Sequence, residues 1–500
     1  MTRVELLFLT TYFLVLVILS VYGSHRYVMA YLYYKYKGNL PAPKGRFGEL
    51  PRVTIQLPVF NEMYVVERLI EAVARIEYPR NRLEIQVLDD STDETQGIAR
   101  AHVQRLRSEG IDITYIHRDN REGYKAGALQ EGLKTARGEL VAVFDADFVP
   151  ARDFLKRSVH YFTDEKVGMV QVRWDHLNRD YSHLTQAQAI FLDGHFVIEH
   201  TARNRSGRFF NFNGTAGVWR RATIEDAGGW QHDTLTEDLD LSYRAQLKGW
   251  QFVYLPEVVS PAEVPVEMNA FKSQQHRWAK GSIQTARKLL PRILRSNLPR
   301  EVKIEAFFHL TANLTYPLMI LLTVLMPVSM VIRFKHGWYE VLMLDLPFFW
   351  TATMSVVMFY IASQREIGMP FWQRVKYLPF IMALGIGMCV NQSKAVIEAL
   401  VGYETGFTRT PKTGMRKGQR FFASKYRLLL TAQPLLELAL GAYLTSAIWF
   451  ALDKGVYFSL PFLLLFQWGF FYVGLVSLLQ GRAGALFRWL RRPAPALELE

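Results

Sequence analysis

Apolar positions along this chain fall into two patterns. Leu6–Ser24 is 19 residues without a charge, Leu346–Gln364 is another 19, and Ala306–Ile332 and Gly455–Gly481 each run 27 residues without Asp, Glu, Lys or Arg. Leu428–Leu452 is interrupted only by Glu437. A bilayer core takes about 20 apolar residues in a helix, so these stretches predict five spans, one before a polar middle region and four after it. Tyr377–Val390 is apolar for only 14 residues and ends at Asn391-Gln392-Ser393. Between about 50 and 300 the pattern changes to short runs, Val53–Pro58, Glu84–Asp89, Ile113–His117 and Leu140–Asp145, separated by helical stretches. That alternation predicts a mostly parallel sheet in an α/β domain, with ligands beyond the carboxyl ends of its strands.

Charge orients the spans. Arg26, Lys35, Lys37, Lys44, Arg46 and Arg52 face Glu49 alone after the first span, and basic flanks lie on the cytosolic side. A cleaved signal peptide is the rival reading of that span, but no small-x-small cleavage site stands out, and an uncleaved anchor is expected. The segment 404–427 carries seven basic residues and one acid, and Arg482, Arg488, Arg491 and Arg492 mark the tail. Both flanks of 377–401 are then cytosolic, so that segment is expected to lie in the interface or re-enter. The expected organisation is an anchor at 1–35, a cytosolic domain at 50–300, a transmembrane hairpin at 303–365, an interfacial or re-entrant segment with a basic loop at 370–426, a second hairpin at 427–482 and a basic cytosolic tail at 483–500. The composition, 50% hydrophobic yet 21% charged, fits a soluble domain joined to spans. The net charge of +13 does not indicate nucleic acid, because no basic helix with interleaved aromatics accompanies it. Cys389 is the only cysteine, which excludes intramolecular disulfides and cysteine-based zinc sites.

The candidate chemistry centres on Val141-Ala142-Val143-Phe144-Asp145-Ala146-Asp147-Phe148-Val149-Pro150. On an extended segment Asp145 and Asp147 point the same way, before Pro150 stops the strand. Two hard oxygen ligands at a strand end suit Mg²⁺ or Mn²⁺ carrying a diphosphate; a plain β-turn is the alternative. Asn61-Glu62 and Asp89-Asp90-Ser91 follow two other strands. Thr236-Glu237-Asp238 precedes a helical run from Leu239 to Leu247 and reads equally as an N-terminal cap. Gln274-Gln275-His276-Arg277-Trp278 offers an amide, a guanidinium and an indole, or simply an amphipathic helix.

Taken together, D-D-S, D-x-D, T-E-D and Q-x-x-R-W in this order resemble the family 2 inverting glycosyltransferases of the cellulose and chitin synthase type, over roughly residues 50–290. Phe212-Asn213-Gly214-Thr215-Ala216-Gly217-Val218-Trp219-Arg220 looks closest to the cellulose synthase-like A group and its bacterial relatives, which make β-1,4-mannan or glucomannan. The resemblance implies a GT-A type, Rossmann-like α/β domain joined to an α-helical transmembrane domain. It implies donor binding by Asn61, Glu62, Asp89, Asp90, Lys125 and Asp145, and metal binding by Asp145 and Asp147. Asp238 would be the general base, with Glu237 and Asp147 completing the catalytic set, and Thr236, Gln274, Arg277 and Trp278 would line the acceptor-diphosphate site. Phe407-Thr408-Arg409-Thr410-Pro411-Lys412 resembles the F-x-V-T-x-K gating loop of bacterial cellulose synthases, with Phe407, Thr410 and Lys412 at its marked positions and Arg409 departing from the Val.

The function so implied is a processive, metal-dependent hexosyltransferase that polymerises and exports a β-linked polysaccharide from GDP-mannose or UDP-glucose. Its partners would be the growing polymer and the bilayer of a bacterial inner membrane or a Golgi membrane; nothing in the chain specifies an accessory subunit. Single addition to a lipid, as in ceramide glucosyltransferases, is the rival enzyme. A non-catalytic scaffold would be expected to lose Asp238 or the Asp pair, and neither is lost.

Overall fold

The computed structural model describes residues 1–338, 344–404, 406, 409–410, 412, 414 and 432–490, the last ten of these as backbone only. Seven strands, β1 (Val53–Val59), β2 (Leu83–Asp89), β3 (Ile113–His117), β4 (Leu140–Val143), β5 (Val167–His176), β6 (Gly217–Arg220) and β7 (Gln251–Ala262), form one sheet in the order 3-2-1-4-6-5-7. Both faces of the central strands are covered, as continuous apolar runs require. Leu140 and Ala142 of β4 enter a core with Val66, Leu69 and Val103 from helices Val66–Ala74 and Thr95–Ser108. Val141 and Val143 enter the opposite core with Leu129, Leu133 and Trp219.

The sheet is mostly parallel, as expected, and β6 alone runs antiparallel, between β4 and β5. Nothing along the chain marks the direction of β6, which its pairing with both neighbours sets. Strand β4 ends at Val143, not Asp145. Asp145–Phe148 instead form a turn closed by the Phe148 N–H donating to the Asp145 carbonyl at 3.1 Å, so Pro150 lies well beyond the strand.

Among the described residues five helices are long and apolar enough to cross a membrane: Arg3–Tyr36, Arg300–Lys335, Asp345–Glu366, Gln433–Asp453 and Tyr457–Gln480. The second is interrupted by a 3₁₀ turn at Ala312–Leu314. Phe371–Gly387 and Cys389–Val401 form a further apolar pair bent by 41°, the geometry of a broken span or a re-entrant loop. Among the spans Arg333 grips Asp345 through two hydrogen bonds of 3.0 and 2.8 Å, and the Tyr12 hydroxyl donates to the same carboxylate at 2.6 Å.

Helix Met268–Arg295 joins the two parts of the molecule. At its start Lys272 meets Glu437 of the fourth span at 2.7 Å, with both side chains buried. Asn391 donates to the Lys272 carbonyl at 2.9 Å. One turn later the same helix delivers Gln274, Arg277 and Trp278 to the cleft above the sheet.

Candidate active site

The cleft opens at the carboxyl ends of the strands, as the α/β pattern predicts. Glu62, Asp90, Lys125, Asp145, Asp147, Thr236, Glu237, Asp238, Gln274, Arg277, Trp278, Thr410 and Lys412 all line it. The turn after β4 carries the aspartates. The Asp145 N–H donates to the Thr215 hydroxyl at 2.9 Å, which ties this turn to the loop before β6.

The ammonium of Lys125 pairs with Asp145 and donates to the Gly214 carbonyl at 2.8 Å. Gly214 sits at φ +79°, and a Cβ there would lie 3.0 Å from Asp238 Oδ2. Glycine therefore lets the backbone approach the carboxylate at a left-handed position that L-residues rarely adopt.

Helix Glu237–Leu247 begins one residue past Thr236, whose side chain makes no cap bond. The cap alternative thus lacks its defining contact, and Glu237 and Asp238 occupy the first turn beside the cleft. Burial pushes the Asp238 carboxyl up to about 7; the Glu237 charge adds to the rise and Lys125 opposes it. Glu237 is raised as well, again chiefly by burial. A carboxylate desolvated in this way is a stronger proton acceptor than one in water, which suits a general base. Glu62 is pushed to about 8 by burial, against the opposing charges of Arg409 and Lys412.

Asp147 is 2% exposed and accepts from Lys412 at 2.6 Å and from the Glu263 N–H at 3.3 Å. Arg277 donates to the Thr410 hydroxyl at 2.9 Å. Asp147 and Arg277 thus hold Lys412 and Thr410 at the cleft; Phe407 lies outside the described residues. The donor set is one a hard divalent cation accepts: two carboxylates, with room for phosphate oxygens to complete the shell. Among the described residues no group of three or more His, Cys, Asp or Glu could hold a metal unaided. Binding through Asp145 and Asp147 would therefore depend on the diphosphate.

Two expected donor residues do other work. Asp89 is fully buried, accepting from the Ser91 N–H at 2.9 Å and the Tyr115 hydroxyl at 2.6 Å, so it shapes the loop after β2 and does not face the cleft. Asn61, at φ 53°, accepts the Thr92 N–H at 2.8 Å and bridges the loops after β1 and β2. Which carboxylate of the pair turns away is set by the loop after β2 and by Tyr115, not by the motif.

Sequence reading missed several residues at the cleft. Arg118, behind the lining, clasps Asp90 at 2.8 and 2.5 Å. Arg121 lies over the Phe60 ring, 3.3 Å from its centroid, and lines the cleft beside Glu62. Glu263, just past β7, binds Arg68 at 2.8 Å and faces Asp147. Trp174 and His176 line the far end. Arg121 opens the Arg121–Gly127 segment that carries Lys125, which was the one available signal; the others belong to no short motif.

Comparison with known proteins agrees with this geometry. The model of the family "Glycosyltransferase like family 2" matches residues 51–281. Those residues form a family 2 glycosyltransferase domain. The glycosyltransferase domain is similar to that of glucomannan 4-beta-mannosyltransferase 1 of Oryza sativa subsp. japonica, 44% identical over 268 residues, which are 53% of this chain and 51% of that protein. Glucomannan 4-beta-mannosyltransferase 2 of Arabidopsis thaliana is 43% identical over 293 residues, 55% of each. The chain thus matches about half the length of these relatives. A solved mannosyltransferase from Pyrobaculum calidifontis, PcManGT in complex with GDP-Man and Mn²⁺, superposes with a TM-score of 0.50 at 22% identity, covering 70% of this chain and 98% of that one. That likeness establishes the GT-A fold of the glycosyltransferase domain.

Proposed function

We propose that this chain is a membrane-embedded inverting glycosyltransferase that builds a β-linked mannan or glucomannan from GDP-mannose. The observation that carries the reading is one cleft that joins a half-buried Asp238 with a raised pKa to Lys125, Asp145 and Asp147 and to Gln274, Arg277 and Trp278. The curated relatives, glucomannan mannosyltransferases by name, and the GDP-Man bound to the Pyrobaculum enzyme support the choice of donor.

In this reading Glu62, Asp90 and Arg121 face the nucleoside end, and Lys125 with Asp145 sets the sugar diphosphate. Asp145 and Asp147 would hold Mg²⁺ or Mn²⁺, which when bound neutralises charge on the leaving diphosphate. Asp238 takes the proton from the acceptor hydroxyl as that oxygen attacks the anomeric carbon. Attack opposite the leaving group converts an α-linked donor into a β-linked product. Arg277 steadies phosphate through its paired N–H groups, and Trp278 offers an apolar face to the acceptor ring. Thr410 and Lys412 close over the loaded donor. The catalytic domain faces the cytosol, and the helices after residue 300 carry the product across the membrane.

The test is product formation by the purified full chain in detergent, with labelled GDP-mannose and UDP-glucose in parallel and Mn²⁺ or Mg²⁺ added. Polymer from GDP-mannose that is lost with chelator is the expected result. A product extractable into lipid solvent and bearing a single sugar would replace the polymerase with a glycolipid synthase.

A further inference from the structure

The cleft extends past Asp147 to an end that the roles above leave unused. Trp174 and His176 lie two residues apart on the last stretch of β5 and so share its cleft-side face. Phe148, Leu192 and Val264 wall this end with apolar surface. The Trp174 ring is wedged between Phe148 at 5.2 Å and Phe196 at 4.9 Å, and its indole N–H is buried with no hydrogen-bond partner.

His176 is 8% exposed. Its Nε2 lies 3.8 Å from Asp193 Oδ1, and both atoms are buried without a hydrogen bond. The other Asp193 oxygen accepts from Arg179 at 2.7 Å and from Gln364, on the third membrane helix, at 2.8 Å. Although burial alone would raise the Asp193 carboxyl, His176, Arg179 and Gln364 hold it down to about 2, so it can only accept. With Nε2 on the Asp193 side, Nδ1 is the ring nitrogen left to meet a ligand in the cleft.

Position in the sheet decides what this end meets. The nucleoside-facing groups Glu62 and Asp90 follow β1 and β2, the D-x-D turn follows β4, and β5 and β7 lie beyond it in the strand order. This end is therefore remote from the nucleoside and borders the membrane helices through Gln364. Apolar walls, an aromatic ring and a few polar atoms awaiting partners are the features that hold a sugar ring. Buried donors and acceptors left unpaired in the free protein also favour a ligand rich in hydroxyls.

We propose that His176, oriented by Asp193, hydrogen-bonds a hydroxyl of the acceptor saccharide at the membrane-ward end of the cleft. The proposal rests on the glycosyltransferase reading and adds a recognition residue to it; Asp193 is a positioning residue.

The experiment uses the full chain in detergent and β-1,4-mannotetraose as the probe. Saccharide affinity, GDP-mannose affinity and GDP-mannose hydrolysis are measured for the wild type and for His176→Ala, His176→Asn and His176→Gln. His176→Ala is expected to weaken the saccharide about tenfold or more, the scale of one lost hydrogen bond in a desolvated site, while both donor readouts stay within about twofold. An Asn amide reaches the Nδ1 position and a Gln amide the Nε2 position. His176→Asn should therefore recover much of the saccharide affinity, and His176→Gln should not.

The reverse order, or equal loss of donor and saccharide affinity in His176→Ala, would reduce His176 to a packing role and overturn the proposal. Unchanged saccharide affinity in His176→Ala would also overturn it, leaving the glycosyltransferase reading intact. A wild type that neither binds nor hydrolyses GDP-mannose would instead sink the parent reading, and this proposal with it.

Discussion

Asp238 concentrates the chemistry at the scale of single residues. Replacing it with Asn removes the proton acceptor but keeps the shape, and kcat for transfer should fall by about 10²–10⁴-fold with little change in donor affinity, as measured by single-turnover assay and nucleotide titration. Its raised pKa also sets a pH dependence. A base works ionised, so kcat/KM should decline as the pH drops through about 7, with the acid limb absent in Asp238→Asn. A profile that stays flat well below neutrality would place the base elsewhere. Arg277 offers a third test. Arg277→Lys keeps the charge but loses the planar pair of donors, and a loss of about tenfold in kcat/KM is expected from steady-state kinetics. The chemical identity of these residues was legible in T-E-D and Q-x-x-R-W. The assignment of Asp90 and not Asp89 to the cleft was not, because it depends on a Tyr115 hydroxyl from the neighbouring strand.

At the scale of elements, the register of one helix against the next places the site. Gly281 lies one turn past Trp278, and a Cβ there would come within 2.5–2.8 Å of Thr236. Alanine is about 1 kcal/mol better than glycine inside a helix, yet Gly281→Ala should lower kcat sharply, because Thr236 cannot shift without moving Glu237 and Asp238. Activity equal to wild type would show that this helix contact does not set the base. The Lys272–Glu437 pair is the second test at this scale. Losing one partner leaves a buried charge, so Lys272→Met or Glu437→Gln should each cost about 3–5 kcal/mol, with the double change milder than either single one. Thermal unfolding in detergent reads the difference. Glu437 stands out in the sequence as the one acid of its span, whereas its partner, 165 positions away, does not.

For the whole molecule, the Lys412–Asp147 pair puts the segment after residue 401 on the side of the α/β domain, and labelling tests the topology that follows. If 371–401 re-enters, Lys454 lies on the far side of the membrane from Arg46; if that segment crosses, the two lie on the same side. With Cys389 replaced by Ala, an impermeant maleimide applied from outside should label Lys454→Cys and not Arg46→Cys. Labelling of neither from outside, with both reached after permeabilisation, would make the bent pair a sixth span.

The sequence alone determined the division into a soluble α/β domain and apolar helices, since each follows from local periodicity and the absence of charge over about 20 residues. It also determined the residue types of the cleft, because short motifs name them directly. Tertiary structure decided the rest. It ended β4 two residues early and set the aspartates in a turn, inserted an antiparallel strand between β4 and β5, and turned Asp89 into a loop support. It also joined Asp193 of the soluble domain to Gln364 of a membrane helix. Each of these rests on contacts between residues distant in the chain, and a pattern read along one strand or helix carries no record of its partner's side chains.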